Sequence, residues 1–387
     1  MMAAEIAKEP TFLGREFTSA YVASLDAGVP REVLAVRERA FAWFQVHGFP
    51  TPKSEDWKYT NVASLRSENW IVKEVLGEIS GESLDLLSKF NFERNGFVAL
   101  NLAFADVKVI RIAKDSVEQM PIEFSFAGED GKAIFPHIVV VAESGSKATI
   151  VETYASTAKS FTNAGVQIIV EDNANITHYR VQKDGAEAFN YGVTEVSLGR
   201  GSVYNSTNIN LGGAISRHDI DVKFTAEGGE AWVDGLYMLS GAQHSDTHSI
   251  IDHTVPNCTS HQNYKGVLND KSRGVFNGKV FVRENAHGTD AKQSNKNLLL
   301  SNDARVDTKP QLEIFNDDVK CAHGATVGQL EEEELFYLLT RGLPENLARN
   351  LLTYGFAEEI INKIEIDIIK NELDAAVLNR LSSNFGV

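Results

Sequence analysis

Residues 219–224, with the sequence DIDVKF, alternate strictly between polar and apolar side chains. Successive side chains of a β-strand point to opposite faces, so this segment predicts a strand with one buried face. Short segments of strand-forming composition recur on its N-terminal side, such as residues 148–151 (ATIV) and 166–169 (VQII). Residues 96–330 therefore predict a region built almost wholly from strands.

Turn-forming groups rich in Gly, Asn and Asp punctuate this region at intervals of roughly 12–17 residues. A β-sandwich would space its strands by about 8–12 residues, and no helical period interrupts the region. The spacing therefore favours short strands stacked in a parallel β-helix over a sandwich. The ends of such a stack leave strand edges unpaired, so they are expected to be capped or to pair with another chain. The turn signals lie at 172–173, 184–185, 199–201, 212–213, 228–229, 240–241, 257, 269–270, 285, 302–303 and 316–317.

A helical pattern precedes the strand region. Residues 31–47 return their larger apolar side chains to one face of a helix. The polar-aromatic loop at 54–60 follows, and its Trp57 and Tyr59 are interpreted as packing anchors rather than ligands. The apolar residues of the predicted helix are Val33, Leu34, Phe41 and Phe44.

A second helical pattern follows the strand region. Four glutamates at 331–334 suit a helix N-terminus, and Gly342 and Pro344 are typical of one helix ending and the next beginning. Two interpretations stay open for the apolar side chains here. The pattern favours helices that pack on one another, and the alternative is an apolar surface that binds another protein. The chain is thus predicted to have three domains, at residues 1–95, 96–330 and 331–387.

Composition limits the compartment and the partners. The chain has 387 residues, of which 43% are hydrophobic, and a net charge of −16. An acidic surface repels phosphate backbones, so no nucleic acid partner is expected, and a purely electrostatic membrane contact is disfavoured. No apolar run approaches the about 20 residues of a membrane-spanning helix, and residues 1–10 lack a secretory signal. Two cysteines, Cys258 and Cys321, make no disulfide framework, so a reducing cytoplasm is expected.

Common catalytic motifs are absent from the sequence. The nearest approach to a phosphate-binding loop, GVFNGKV at 274–280, has one residue too few between its glycines and no hydroxyl after its lysine. The chain is therefore not expected to hydrolyse a nucleotide alone. A glycan-degrading β-helix enzyme would need acids such as Asp303 and Asp307, beside Arg305, in a groove, and the missing secretory signal disfavours it. A homodimeric structural protein without a metal role is a second alternative.

Four histidines cluster between residues 244 and 261. Imidazoles bind iron and zinc, but only residues an even number apart share one face of a strand. Two of the four meet this rule with each other, and the other two form a separate pair. Hydrogen-bonded structural histidines are therefore favoured over a metal site. The four are His244, His248, His253 and His261.

Cys321 and His323 are the pair best suited to metal chemistry. They lie two residues apart, so a strand would present both side chains on one face. A thiolate and an imidazole suit iron or the edge of an iron–sulfur cluster. Two ligands do not complete a site, so either the pair is inert, which the spacing alone favours, or a second chain supplies the rest. The lone Cys258 is interpreted as a small core residue.

Several strings in the sequence resemble the SufB/SufD family of iron–sulfur cluster assembly proteins. The resemblance is dense from about residue 234 to 356 and weak in the N-terminal part, where WKYT at 57–60 carries it. The chain is more similar to the SufD branch because it has CAHGAT at 321–326, is short and is poor in cysteine. The SufB branch is longer and carries an acceptor thiol. The strings are QNYKGVL (262–268), GVFNGKV (274–280), TDAKQSN (289–295), NLLLS (297–301), KPQLEI (309–314), DDVKCAHGAT (317–326), and LFYL with RG (335–338, 341–342).

The resemblance implies a right-handed parallel β-helix in a non-catalytic subunit that works with SufB and two copies of the ATPase SufC. The β-helix ends of SufB and this chain are expected to pair, and the same end is open to homodimer formation in isolation. His323, with Cys321 beside it, is then a candidate iron or cluster site that SufB completes. Iron or a cluster is expected only transiently in the complex, with none stably bound to the isolated chain.

The resemblance also implies a mechanism and a docking region. Closure of the SufC subunits on ATP is expected to strain the SufB junction through the C-terminal helices, which assists iron entry and cluster formation. SufC is expected to dock on residues 331–381. The docking residues expected are Glu334, Leu335, Phe336, Tyr337, Leu338, Arg341 and Gly342.

Overall fold

The computed structural model describes residues 31–72 and 81–385. The N-terminal stretch in which the sequence shows no secretory signal lies outside these residues. The described helices are α1 (Arg31–His47), α2 (Ala63–Arg66), α3 (Gly81–Ser88), α4 (Gly96–Phe104), α5 (Glu332–Thr340), α6 (Glu345–Ile361) and α7 (Asp367–Phe385), with 3-10 turns at Glu55–Trp57 and Phe92–Arg94. The described strands are β1 (Ile71–Val72), β2 (Asp106–Ile112), β3 (Ile122–Phe126), β4 (Lys132–Ile134), β5 (Pro136–Ala142), β6 (Lys147–Tyr154), β7 (Phe161–Val170), β8 (Asn175–Gln182), β9 (Phe189–Leu198), β10 (Val203–Asn210), β11 (Ile215–Phe224), β12 (Glu230–Leu239), β13 (His244–His253), β14 (Thr259–Leu268), β15 (Arg273–Val282), β16 (Thr289–Leu299), β17 (Arg305–Ile314) and β18 (Val319–Gly328).

The strands form two parallel sheets that face each other. Sheet A runs β1-β4-β7-β9-β11-β13-β15-β17, with β5 also pairing with β7 and β2 pairing with β5. Sheet B runs β3-β6-β8-β10-β12-β14-β16-β18. From β5 onward each strand pairs with the strand two positions further along the chain, so the backbone winds alternately through both sheets. The core is a parallel β-solenoid of about eight turns, which confirms the predicted β-helix.

The length of one coil explains the spacing of the turn signals. Phe189 pairs with Ile215, 26 residues further on, and Arg273 pairs with Arg305, 32 residues further on. Half a coil therefore takes 13–16 residues, which matches the predicted interval. Several of the predicted turns contain a residue with positive φ, a conformation that Gly, Asn and Asp adopt most readily. These residues include Asn173, Gly201, Gly228, Gly241, Asn257 and Asp270.

Residues 219–224, in strand β11, show how sheet A buries side chains on both of its faces. Ile220, Val222 and Phe224 point into the apolar space between the sheets, as the alternation predicts. The polar Asp219 on the opposite face is fully buried as well, because the N-terminal region covers sheet A. Arg217 Nε donates to its carboxylate at 2.9 Å. Alternation thus identified the strand, but its polar face is only partly in solvent: Asp219 is buried under the N-terminal region, Asp221 is half-buried and Lys223 is exposed.

Helix α4 lies within the range predicted to be β. All nine of its residues are buried between α1 and the strands of sheet A. Its sequence, GFVALNLAF, is apolar around nearly the whole circumference, so no helical periodicity reveals it. The Asn95 side chain caps the helix by accepting hydrogen bonds from the backbone of Phe97 at 2.9 Å and Val98 at 3.2 Å.

The predicted first helix and its following loop anchor the N-terminal region. α1 spans the predicted 31–47 and ends at Gly48, whose φ of 63° reverses the chain. Trp57 is buried, with its ring stacked on Phe97 and the Arg217 guanidinium 3.8 Å from the ring centre. Tyr59 is half-buried beneath Arg273. The interpretation as a packing anchor is confirmed for Trp57, which belongs to the apolar core, whereas Tyr59 lies outside that core and contacts Arg273.

Acid sensitivity is expected from His137, which lies buried beneath the N-terminal helices. Burial lowers the pKa of its imidazole to about 4, and its nitrogens lie 2.7 Å from Asn101 Oδ1 and 3.2 Å from Gln167 Oε1. Because the unfolded chain binds a proton near pH 6.5 and the folded chain does not, stability is lost as the pH falls below 6.5. Urea unfolding at pH 7.5 and 4.5 should show a contribution of about 2–3 kcal/mol to this loss. A His137→Gln variant should lack that contribution, and an unchanged difference between the two pH values would contradict it.

Candidate functional site

The C-terminal end of the solenoid is open. Strands β17 and β18 end their sheets, and each pairs on one side only within residues 31–72 and 81–385. From residue 322 to 329 every side chain is exposed, whereas the inward side chains of the preceding strand β16 are buried. Ile314 and Val327 are exposed apolar residues at this end. Free strand edges beside exposed apolar residues are suited to pairing with another polypeptide.

Cys321 and His323 lie on the open-end strand β18. Cys321 pairs in register with Ala291, and His323 pairs with Gln293. Because those partners are buried on the inward face of β16, both site residues belong to the inward face at the unpaired end. Both residues lie in the last coil, where the imidazole is exposed and the thiol is half-buried.

The two side chains differ in readiness to bind a metal ion. His323 is exposed and accessible. Cys321 is half-buried against the apolar interior, and burial raises the pKa of its thiol. At neutral pH the thiol is therefore protonated, and a metal ion must displace its proton before the sulfur can become a ligand. The imidazole is the better first ligand.

This end of the chain does not form a complete metal site. Among the described residues, no three His, Cys, Asp or Glu side chains converge closely enough to hold a metal ion. Iron–sulfur clusters and zinc ions typically take four protein ligands. A site built on His323 and Cys321 would need ligands from another molecule.

An open cleft of about 350 Å³ lies against sheet B and reaches the end strand. Its floor includes Trp232 and His261, which stack with their ring centres 4.3 Å apart. Lys363, two residues beyond the end of α6, borders the same cleft and pairs with Asp234 at 2.7 Å. The residues bordering the cleft are Trp232, Asp234, His261, Gln262, Asn263, Lys292, Gln293, Ser294, Ala322, His323 and Lys363.

The histidine group of the sequence is dispersed. His244 lies 2.8 Å from the Thr60 hydroxyl, and His248 lies 3.0 Å from an Asp246 carboxylate oxygen, both beneath the N-terminal region. His253 faces the interior, where its Nε2 lies 2.8 Å from Ser260 Oγ. His261 lies in the other sheet. The favoured interpretation, hydrogen-bonded structural histidines, agrees with the contacts of His244, His248 and His253, whereas His261 stacks on Trp232.

Two other sequence candidates take part in structure. Cys258 is buried in the interior apolar cluster, as predicted for a small core residue. Asp307, one of the acids considered for a glycan-degrading enzyme, accepts a bond from Arg273 Nη2 at 2.6 Å. Asp303 lies exposed in the turn before β17. Of the two acids, Asp307 is therefore held in an ion pair and Asp303 lies on an exposed turn.

The C-terminal helices pack on sheet B and leave one apolar face uncovered. α6 and α7 bury Ile360, Ile361 and Val377 against the strands, so they do not form a bundle packed only on itself. α5 buries no residue, and the predicted helix end at Gly342 has a φ of 88°. We call the exposed apolar side chains of α5 and the first turns of α6 the α5–α6 face: Phe336, Tyr337, Leu339, Leu347 and Leu351.

The predicted docking residues overlap this face. Phe336 and Tyr337 are strongly exposed, and the Arg341 guanidinium lies over the Tyr337 ring. Leu335 and Leu338 are half-buried, and Glu334, Arg341 and Gly342 are exposed. The sequence did not single out Leu347 and Leu351. They continue an apolar pattern in the sequence, and only the placement of α6 shows which side chains of that pattern are exposed to solvent.

Helix α6 joins the α5–α6 face to the cleft. Its first turns carry the exposed leucines, and its last turn is fixed to sheet B. Lys265 Nζ pairs there with Glu359 and donates to the Phe356 carbonyl at 3.0 Å.

None of the helices in the described ranges is long and apolar enough to cross a membrane.

Comparison with known proteins agrees with the predicted family. Residues 124–356 match the family model described as SUF system FeS cluster assembly, SufBD core domain, and residues 17–83 match the SufBD protein N-terminal region. The chain is 31% identical to an iron–sulfur cluster assembly SufBD family protein of Synechocystis sp., covering 94% of this chain and 82% of the relative. It is 30% identical to the iron–sulfur cluster assembly protein SufD of Escherichia coli, covering 86% and 90%. The chain therefore belongs to the SufBD family of iron–sulfur cluster assembly proteins.

Proposed function

We propose that this chain is a non-catalytic, SufD-type subunit that builds iron–sulfur clusters together with SufB and the ATPase SufC in the cytoplasm. The observation that carries the proposal is the position of His323. It lies exposed on the last strand of an open-ended solenoid that belongs to the SufBD family. Iron and sulfide are the substrates of this function, and the cluster is its product.

The open end is the proposed junction with SufB. Parallel strands β17 and β18 offer free backbone groups to strands of a partner, and a homodimer of the isolated chain would use the same end. In the junction His323 supplies one ligand, Cys321 lies beside it, and SufB supplies the others. Burial of the imidazole by the partner also shields bound iron from water.

The α5–α6 face is the proposed docking site for SufC. Exposed aromatic and aliphatic side chains on two neighbouring helices form the kind of surface that protein partners bury. We assign the docking role to residues 331–387 and the junction role to the strand core at 96–330. The sequence lacks a phosphate-binding loop, so ATP hydrolysis belongs to SufC.

The helices give SufC a route to the junction. Closure of two SufC subunits on ATP would displace α5 and α6, and α6 is fixed near the cleft that His323 borders. The closed form of SufC binds one state of the junction more tightly than the other. ATP binding therefore shifts the population of complexes towards that state. In that state His323 is accessible to iron.

Replacing His323 by alanine tests this function. In the complex co-purified with the cognate SufB and SufC, anaerobic reconstitution with Fe²⁺ and sulfide should form clusters more than about 10-fold more slowly. Absorption in the visible range follows cluster formation. Assembly of the complex should be retained, because the proposed junction is formed mainly by the backbone groups of two free strand edges, which this substitution leaves in place.

His287→Ala is the matched control, since His287 is another exposed histidine, in the turn before β16. It should form clusters at the wild-type rate. Wild-type cluster yield in the His323→Ala complex would exclude His323 as a site residue and remove the main support for the proposal.

A further inference from the structure

A column of inward-facing residues runs through sheet B to His323. Register pairs connect Val233 to Gln262, Gln262 to Gln293, and Gln293 to His323. Side chains paired in this way lie on the same face of neighbouring strands, about 4.8 Å apart. Deeper in the solenoid the column continues through Val233 and Ser206, and its last three positions, Gln262, Gln293 and His323, are all polar. Gln293 is therefore the interior neighbour of the candidate ligand.

The amide of Gln293 lacks the hydrogen bonds that burial normally requires. The residue is 3% exposed, and neither Oε1 nor Nε2 has a hydrogen-bond partner among the residues that the structure describes. Gln262, one coil deeper, accepts from Ser249 Oγ at 2.5 Å, so among the described residues only its Nε2 lacks a partner, whereas both amide atoms of Gln293 do. A buried polar group without a partner destabilises a fold, so its retention calls for a role.

The opposite sheet leaves room for this amide. Gly278 of β15 faces it, and a Cβ atom at Gly278 would lie 2.2 Å from Gln293 Nε2. The backbone of Gly278 does not adopt a positive φ, so its conformation does not require glycine. Glycine is needed there for space. The glycine and the glutamine together place an amide with free hydrogen-bonding capacity directly inside the open end.

We infer that Gln293 is the positioning residue of the His323 site: its amide oxygen accepts the ring N–H that His323 does not use for iron. The inference rests on the proposed function of His323. Histidines that bind metals almost always donate their other ring N–H to an oxygen acceptor, which fixes the orientation of the ring. Gln293 is the register neighbour of His323 and carries a buried acceptor that is unused. The bond forms when SufB covers the imidazole and holds it over the column.

Two substitutions at Gln293 separate this role from a structural one. Gln293→Leu removes the unpaired amide, so the isolated chain should gain about 2–4 °C in Tm. The same variant should form clusters about 10–100-fold more slowly in the complex with SufB and SufC, because His323 loses its acceptor. Gln293→Glu keeps an acceptor oxygen but buries a carboxyl group, so it should lower Tm and retain at least half of the wild-type rate.

Gln262→Leu is the control, because Gln262 is the next glutamine of the column, one coil deeper, and is not a register neighbour of His323. It should leave the rate of cluster formation unchanged. A purely structural role predicts that Tm and cluster formation fall together at position 293, and that pattern overturns the inference. So does a wild-type rate in Gln293→Leu. If His323→Ala itself has no effect, the proposed function fails. If His323→Ala slows cluster formation and Gln293→Leu does not, only the positioning role is wrong.

Discussion

Changing Phe336 and Leu347 to glutamate is expected to weaken the binding of SufC about 1,000-fold. Both residues belong to the α5–α6 face, where they are 67% and 51% exposed. Buried anchor residues of an interface typically contribute about 2–4 kcal/mol each, and about 1.4 kcal/mol corresponds to a tenfold change in affinity. Titration calorimetry with purified SufC measures the effect directly. The double variant should keep the wild-type Tm, because neither side chain contributes to the core.

Met120→Glu provides a matched control for added charge on an exposed apolar residue. Met120 is 76% exposed and lies in the segment between β2 and β3, far along the chain from the C-terminal helices. This variant should bind SufC with unchanged affinity. Equal affinities for wild type and the Phe336→Glu, Leu347→Glu double variant would show that SufC does not use the α5–α6 face.

Replacing Arg217 by methionine is expected to destabilise the fold by about 3–5 kcal/mol at neutral pH. Its buried guanidinium donates to Asp219 and Asp246, each at 2.9 Å, and covers the ring of Trp57. Methionine would remove the guanidinium that donates to both buried carboxylates, Asp219 and Asp246. Equilibrium unfolding in urea at pH 7 measures the loss.

The destabilisation by Arg217→Met should shrink as the pH falls towards 4. In the wild type, burial raises the pKa of Asp219, but Arg217 and Arg94 outweigh it and hold the pKa below its ordinary value. The ion pairs therefore stabilise the fold above the unfolded pKa, and this contribution is lost in acid. Without Arg217, the effect of burial raises the pKa of the carboxyl groups, so they bind protons at a higher pH than in the wild type. The variant therefore loses less of its stability in acid.

Arg200→Met serves as the comparison for an exposed pair. Arg200 pairs with Glu227 on the surface, where both side chains are about half exposed. Such pairs contribute about 0–1 kcal/mol, so this variant should stay close to the wild type at every pH. A pH-independent loss in Arg217→Met would mean that the lost aromatic contact, and not the carboxylates, causes the destabilisation.

The architecture could be predicted because its signals are local. Strand alternation at 219–224 and turn residues such as Asn173 and Gly241 depend on φ, ψ preferences and on burial of one face, and both are visible in a short window. The helix end at Gly342 is equally local. The predictions of the β-helix, of the first helix and of the family were therefore correct.

Features that depend on long-range packing could not be predicted in this way. Helix α4 carries no periodicity because every side of it is covered. Asp219 looked exposed because part of the N-terminal region that covers it, including Arg94, is far away in sequence: Arg94 pairs with it from 125 positions away. For the open end, the available signal was the segment 292–297 (KQSNKN), which has no apolar residue at the positions expected to face inward. A strand that buries amides in place of aliphatic side chains marks a place where the interior is used for polar contacts.

The dimensions of α6 limit how its two ends can influence each other. A helix of 17 residues is about 25 Å long. At physiological ionic strength the field of an exposed charge decays over about 8 Å. A change of charge at one end of the helix therefore scarcely alters the electrostatic potential at the other end. Influence between the leucines at its start and Lys363 beyond its end must therefore travel as displacement of a stiff rod. Such a rod transmits translation and tilt, and its reach is fixed by the number of residues in it.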